Sequence, residues 1–443
     1  MPYRTLIIVC ALAMAVAGSA APVFAQAQDL PRWARVSFFA QGATTTPTDG
    51  GESSTFSELN TSLQAESAHH AAGGFFEYGL NVRFSTYPSS QGRTQRVSVY
   101  DAYIAQGFLG GSLFVKAGQM WLTDMGGLGA VSGGLVEYRQ IKKTKGLRWR
   151  AGAFGGVEPE PLTFGYVSGI TKYGGYVAVD GNGAQKHVIG YVMVRNQGLT
   201  ERSVVTITNF IPAGHQFFLY QAAEINLGGA GGQGKVGVGY FFVNANASPS
   251  DRVSVQFTYH RGQSIDFRSI TDDILNGRPV PAKSLDGFLF ESIGGRVTFQ
   301  VAKTLRVFGG YSQDKNSSST DPVNRVSFGF SSSNLLKTGL DIYVSDYRYS
   351  GGTNPSYDSL WVSVGRNLSP RVYVSGEYSS SLSVVRYVQS SGVIVESRPS
   401  SKRFGGTAIV HVGRKGSLLF TFDHTQDTNY TENRFLAGLT FRF

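Results

Sequence analysis

Seven histidines and a single cysteine are the obvious places to look for catalysis or metal binding. The histidines are His69, His70, His187, His215, His260, His411 and His424, and none stands in a nucleophile motif such as Gly-x-Ser-x-Gly. His69 and His70 are neighbours, so on a strand they point to opposite faces and cannot share a metal. His260 and His411 read as polar groups of a wall or turn. Cys10 lies inside an apolar run, away from any cleavage point, where it is filler. The segment 261–286 holds Asp266, Asp272, Asp273 and Asp286 beside Arg268 and Arg278, but without the order of a calcium loop. It reads as a solvated loop. Nothing here calls for a metal, a cofactor or an enzyme.

What the chain offers instead is charge at alternating positions. Arg35, Arg83, Lys116, Arg148, Arg150, Arg296, Arg306 and Arg325 all alternate with apolar residues, as do Asp101, Asp341, Glu377 and Asp423. Period-2 alternation places each set on one face of a strand. A second feature is the segment 121–134, Trp-Leu-Thr-Asp-Met-Gly-Gly-Leu-Gly-Ala-Val-Ser-Gly-Gly. It is glycine-rich, yet carries Leu122, Met125, Leu128 and Val131 around Asp124. A loop that faces water has little use for those apolar residues. One folded against a wall does.

The elements that position these residues follow from the same alternation. Val253, Val255, Phe257 and Tyr259 oppose Ser254, Gln256, Thr258 and His260. Val297, Phe299 and Val301 oppose Arg296, Thr298 and Gln300, and Leu80, Val82 and Phe84 oppose Asn81, Arg83 and Ser85. Val372, Val374, Gly376 and Tyr378 oppose Tyr373, Ser375 and Glu377. Stretches of this kind recur along the chain without an appreciable helical segment, and no linker divides them. Aromatics such as Tyr343, Tyr347, Tyr349, Tyr373 and Tyr378 gather near strand ends. Residues 1–25 read as a signal peptide: Arg4, an apolar run over 6–17, then small residues ending in Val23-Phe24-Ala25. Without it the chain has no thiol, which excludes disulfides and cysteine-ligated zinc. The formal net charge of +10 falls by the one charge of Arg4. The largest basic cluster, Lys142-Lys143-Thr144-Lys145, is a turn rather than a nucleic-acid site.

The last strand is the most specific signal. Phe435, Ala437, Leu439, Phe441 and Phe443 alternate down to a terminal phenylalanine, opposite Arg434, Gly438, Thr440 and Arg442. This ending resembles the closing strand of Gram-negative outer-membrane β-barrels. The resemblance implies an outer-membrane location, contact with its lipid, and recognition of Phe435, Leu439, Phe441 and Phe443 by the barrel-assembly machinery. Open sheet edges cannot stand in lipid, so the sheet must close.

Counting turns backwards from the C-terminus gives about 22 strands, with 18 to 24 as the range of the method. The expected fold is thus all-β, one transmembrane antiparallel up-and-down barrel over 26–443. Barrels of this size usually carry a plug, but about seven residues between the cleavage site and a first strand at 33–41 leave no room for one. The alternating charges then face a lumen, since a charge facing lipid at mid-depth costs about 2–4 kcal/mol. The segment 121–134 is the third outer connection and is similar to the inward third loop of porins. The reading is a channel for small hydrophilic solutes, leaning to anions if the basic residues meet at a constriction. A conduit for a polymer such as a polysaccharide, with Tyr103, Tyr343 and Trp361 along one track, is the alternative; a non-conducting adhesion or scaffold barrel is another. A homo-oligomer stays open. Intact mass of the exported protein should give a chain starting at Gln26; an N-terminus at Met1 would refute the cleavage site.

Overall fold

The computed structural model describes residues 32–67, 76–87, 95–125, 128, 130–140, 146–160, 165–181, 185–214, 216–351, 356–388 and 394–443. The expected signal peptide, the turns expected at 71–73 and 142–145, and His69, His70 and His215 lie outside them.

The chain runs through β1 (Arg32–Pro47), β2 (Ser54–Ser67), β3 (Phe76–Thr86), β4 (Gln95–Phe108), β5 (Leu113–Trp121), β6 (Ala130–Arg139), β7 (Arg148–Pro159) and β8 (Tyr166–Asp180). It continues through β9 (Lys186–Asn196), β10 (Leu199–Ala213), β11 (Phe217–Gly229), β12 (Gly237–Ser250) and β13 (Val253–Ser264). Two helices follow, α1 (Phe267–Leu275) and α2 (Ala282–Asp286). Then come β14 (Phe288–Ala302), β15 (Leu305–Asn316), β16 (Ser319–Leu335), β17 (Leu340–Ser350) and β18 (Ser356–Ser369). The last strands are β19 (Val372–Val388), β20 (Ile394–Ser397), β21 (Ser400–Val412), β22 (Gly416–Asp427) and β23 (Tyr430–Arg442).

Neighbours in sequence pair antiparallel, and β1 returns to β23 from Arg35 opposite Arg442 to Pro47 opposite Tyr430. The sheet is closed. Of its 23 strands, β20 only extends a hairpin with the end of β19, while β19 pairs directly with β21. The wall therefore has 22 strands among the described residues, the expected number. No domain other than the connecting loops is seen among them.

The two faces separate as the alternation requires. Large apolar side chains such as Val255, Phe257, Val297, Phe299, Phe420, Phe422, Phe435 and Phe441 stand exposed on one face. On the other, Arg403 pairs with Asp423 and Arg434 with Glu432. A water-soluble barrel would not expose that apolar belt, whereas a closed sheet satisfies every backbone group in lipid. The protein is a transmembrane barrel of the bacterial outer-membrane type.

Three sequence expectations are corrected. First, the chain is not free of helices. Second, 261–286 is not a solvated loop: β13 continues to Ser264, and α1 buries Phe267 and Ile270. Third, of the aromatics near strand ends, which would form a girdle if they faced lipid, Tyr343, Tyr347, Tyr349 and Tyr373 face inward. They share a face with Asp341, Ser345 and Glu377, opposite the outward Val344, Val364 and Val374. Tyr378, at the opposite parity, does lie outward against Phe404, 5.0 Å between ring centres.

The two faces should respond oppositely to charge. Phe420→Arg, mid-strand and outward, should lower unfolding free energy in lipid vesicles by about 2–4 kcal/mol, and Thr421→Arg, next to it and inward, should not. Equal losses in urea titrations would contradict the assigned faces.

Candidate functional site

The connection between β5 and β6 is shorter than the sequence suggests. Trp121 still belongs to β5, and Val131 already belongs to β6. Between them a single 3-10 turn, Thr123–Met125, lies against β9 and β10. A loop can leave β5 and reach strands four and five places away only across the hollow side of the sheet. It is therefore inside the barrel.

Two features seat it there. Met125 is fully buried, resting on Gly190, where any Cβ would come within 2.6 Å of its sulfur. The end of the Met125 side chain thus takes the space that a side chain at 190 would fill. Leu122, Leu128 and Val131 are buried with it, against Leu135, Phe154, Val188, Val192 and Val204 on the inner wall. A fully buried side chain of this size is worth about 1.5–3 kcal/mol over an exposed one, so this patch holds the loop. Trp121 at its start donates its backbone N–H to the Asp101 carboxylate, 3.0 Å away.

Ion pairs then fix its position. Asp124 meets Arg150 at 2.7 Å and also touches Lys186. Arg150 reaches Glu137 (2.8 Å) and Asp180 (2.9 Å) as well. Glu137 also takes Arg139 and the Tyr176 hydroxyl. Breaking a buried pair strands the remaining charge at a penalty of about 3–5 kcal/mol. Arg148, 3.7 Å from Asp180, belongs to the same network. Arg148 and Arg150 therefore share the face that carries Asp180 and Glu137, as anchors whose charge is matched.

A second loop folds in beside the first. Asp266 caps α1 by accepting the Ser269 N–H at 3.0 Å, and Phe267 and Ile270 pack on Ala230. Arg268 reaches Glu158 (2.9 Å) and Glu201 (3.0 Å). Burial works against that charge, yet bonds to Glu201 and Glu158 hold the guanidinium pKa above its usual value. Lys172 joins the two loops: its ammonium pairs with Glu158 at 3.2 Å and donates to the Leu128 carbonyl at 3.1 Å. Asn196 adds a bond to Asp272, 2.7 Å long. Sequence reasoning missed Glu137, Glu158, Lys172, Lys186 and Glu201 as site residues, and misread Arg268. Their signal was available for Lys172 and Glu158, which share the inward parity of their strands.

The remaining lumen residues divide into matched and unmatched. Arg83 pairs with Glu58 at 3.0 Å, Arg325 with Asp314, and Arg35 bonds Gln64. Lys116 sits 3.8 Å over the Tyr103 ring. Asp423 holds Arg403 at 2.7 Å, Asp341 accepts the Asn334 N–H at 3.0 Å, and Glu377 faces Gly405 across the sheet. Arg296, 3.8 Å over the Phe308 ring, and Arg306 have no carboxylate partner among the described residues. Arg35 on β1 and Lys116 on β5 likewise have no carboxylate within ion-pair distance, so Arg296 and Arg306 are the unmatched pair on adjoining strands, β14 and β15.

That side of the lumen is also aromatic. His260 stands edge-on to Tyr240 (5.3 Å) and Phe290 (5.4 Å). Tyr343 lies 5.7 Å from Phe308 and 4.9 Å from Trp361. Tyr103 is on β4 and does not join them. His187 bonds Asn209 and His424 bonds Asn433, each at 2.8 Å; His411 faces Ser417 near the end of β21. No group of three metal-type side chains occurs among the described residues.

No protein-family model and no curated protein matches this chain. Among solved structures it is similar to OccAB4 of Acinetobacter baumannii, at 9% identity over 94% of this chain and 99% of that one, TM-score 0.45. It is similar to OpdQ of Pseudomonas aeruginosa, at 11% identity over 94% and 98%, TM-score 0.42. The outer membrane protein opdK of the same species gives 10% over 93% and 99%, TM-score 0.43.

The loop position is open to a direct check, because residues 26–443 contain no cysteine. Met125→Cys with Gly190→Cys should close a disulfide on mild oxidation and lose both free thiols. Two thiols that stay titratable would place the loop elsewhere.

Proposed function

We propose that the barrel is a passive channel for small hydrophilic solutes, narrowed by its own loops and leaning to anions. The observation that carries this reading is the turn Thr123–Met125, seated on the inner wall by Met125 and Asp124. A wall held this far in by buried apolar contacts narrows the path without closing it by a separate domain. Polar side chains line the rest: Gln256, Thr258, Ser292, Ser312 and Ser327 surround Arg296 and Arg325.

Anion preference rests on the unmatched charges. Arg296 and Arg306 attract counter-charge from the lumen, while Arg148, Arg150, Arg83 and Arg325 are already satisfied by carboxylates. Basic residues favour anions where the path is narrow, so selectivity should come from few residues, not from the whole expected set. No catalytic role is assigned to any of them. The outward Phe435, Leu439, Phe441 and Phe443 are the proposed signal for the assembly machinery.

Purified protein in planar bilayers should give discrete conductance steps, larger when residues 122–129 are replaced by two glycines. In a potassium chloride gradient the reversal potential should favour chloride, and Arg296→Ala with Arg306→Ala should move it toward zero. Silent bilayers would sink the channel reading; a potential unmoved by the double variant would sink the anion preference alone.

A further inference from the structure

The aromatic side chains of the lumen are not all alike. Tyr103 covers Gly79, Tyr176 covers Gly152, Tyr373 covers Gly365 and Phe39 covers Gly438; a Cβ on any of those glycines would collide with the ring. A ring laid over a strand glycine shields backbone and steadies the sheet, so folding accounts for these four. Tyr343 and Trp361 differ. Their cross-strand neighbours are Ser331 and Ser363 for Tyr343, and Ser345 and Ser379 for Trp361. They cover no glycine, yet they leave apolar ring surface on a polar, inward wall.

The same wall has a groove. Arg306, Ser331, Asp341, Tyr343, Ser363 and Tyr373 line a hollow of about 330 Å³, with Lys303 at its rim. That is at the low end of small-molecule sites, about 300–1,000 Å³. Its chemistry is mixed in a particular way. Arg306 is a donor without a carboxylate partner, Asp341 is an acceptor with a lone pair to spare, and Ser331, Ser363 and Tyr373 supply hydroxyls. Tyr343 and Trp361 add an aromatic step beside it, 4.9 Å between ring centres, with Phe308 continuing it at 5.7 Å from Tyr343.

We propose that this groove and step form a binding site for a neutral sugar ring, at which an oligosaccharide pauses on its way through. A pyranose presents an apolar face of C–H bonds to an aromatic ring while its edge of hydroxyls both donates and accepts. The groove offers a partner to each: rings for the face, Arg306 and Asp341 for neighbouring hydroxyls. A simple anion would gain from Arg306 but meet Asp341 with like charge, and would leave the rings unused. The inference deepens the channel reading and names one class of solute for it.

Two measurements separate the site from the channel. The first is single-channel recording in bilayers with maltotriose, cellotriose and trigalacturonate as probes. Maltotriose or cellotriose should interrupt the current in a concentration-dependent way. Trp361→Ala and Tyr343→Ala should each weaken the block, by up to about tenfold for an aromatic contact; Trp361→Tyr should retain most of it. The second is calorimetric binding of the same sugars to the protein in detergent, which needs no conduction. A pore that conducts but neither binds nor is blocked by the neutral sugars overturns the site and leaves the channel. Binding of trigalacturonate alone overturns the neutral-ring assignment. Sugar binding by a protein that never conducts supports the site and removes the channel.

Discussion

Everything in this molecule depends on one constraint: within lipid no backbone N–H or C=O can go unpaired. A helix meets that condition within itself, but a strand meets it only through its neighbours. The last strand must therefore find the first. Here Phe443 donates its backbone N–H to the Ala34 carbonyl at 2.9 Å, just beyond the long ladder between β1 and β23. Once the ring is closed, each residue has only two possible surroundings, lipid or lumen, and alternation decides between them.

That two-valued choice explains what the sequence made legible. Inward placement of Arg83, Arg296, Arg306 and Glu377 followed from parity alone, because the other face would have put charge into lipid. Parity also places Tyr343, Tyr347 and Tyr349: although they lie toward a strand end, their odd numbers set them beside Asp341 and Ser345, facing the lumen. It was unavailable at β10, where the register shifts between Thr200 and Arg202. That bulge brings Glu201 to Arg268, a contact no alternating pattern could foretell.

Helix α1 was missed for a different reason. Phe267, Ile270, Thr271 and Ile274 follow the spacing of one helix face, and Asp266 with Ser269 is a plain N-cap. Asp266, Asp272, Asp273 and Asp286 with Arg268 and Arg278 outweigh that short apolar stripe in the composition of the segment. The outcome matters because α1 is not a surface ornament. Through Arg268, Glu158 and Lys172 it is tied to the backbone of Leu128, so the two inward loops share one set of charges. A loop with buried apolar contacts at one end and a shared ion-pair network at the other has little freedom to swing.

The division of labour between the contacts of the Thr123–Met125 turn follows from their energetics. Without the turn, Val188, Val192 and Val204 would present apolar surface to the lumen, so burial supplies the drive to fold inward. Burial is not directional, however, and would tolerate several positions along those strands. The pairing of Asp124 with Arg150 and Lys186 removes that latitude, since a displaced carboxylate would take Lys186 from its one ion-pair partner among the described residues and Arg150 from one of its three. Drive and register thus come from separate residues. The consequence for transport is that β6–β10 are occupied in holding the loop, and their charges are neutralised in doing so. In the proposed channel a solute would meet instead the wall from β14 to β18, where Arg296 and Arg306 have no carboxylate partner among the described residues and Tyr343 and Trp361 cover no glycine.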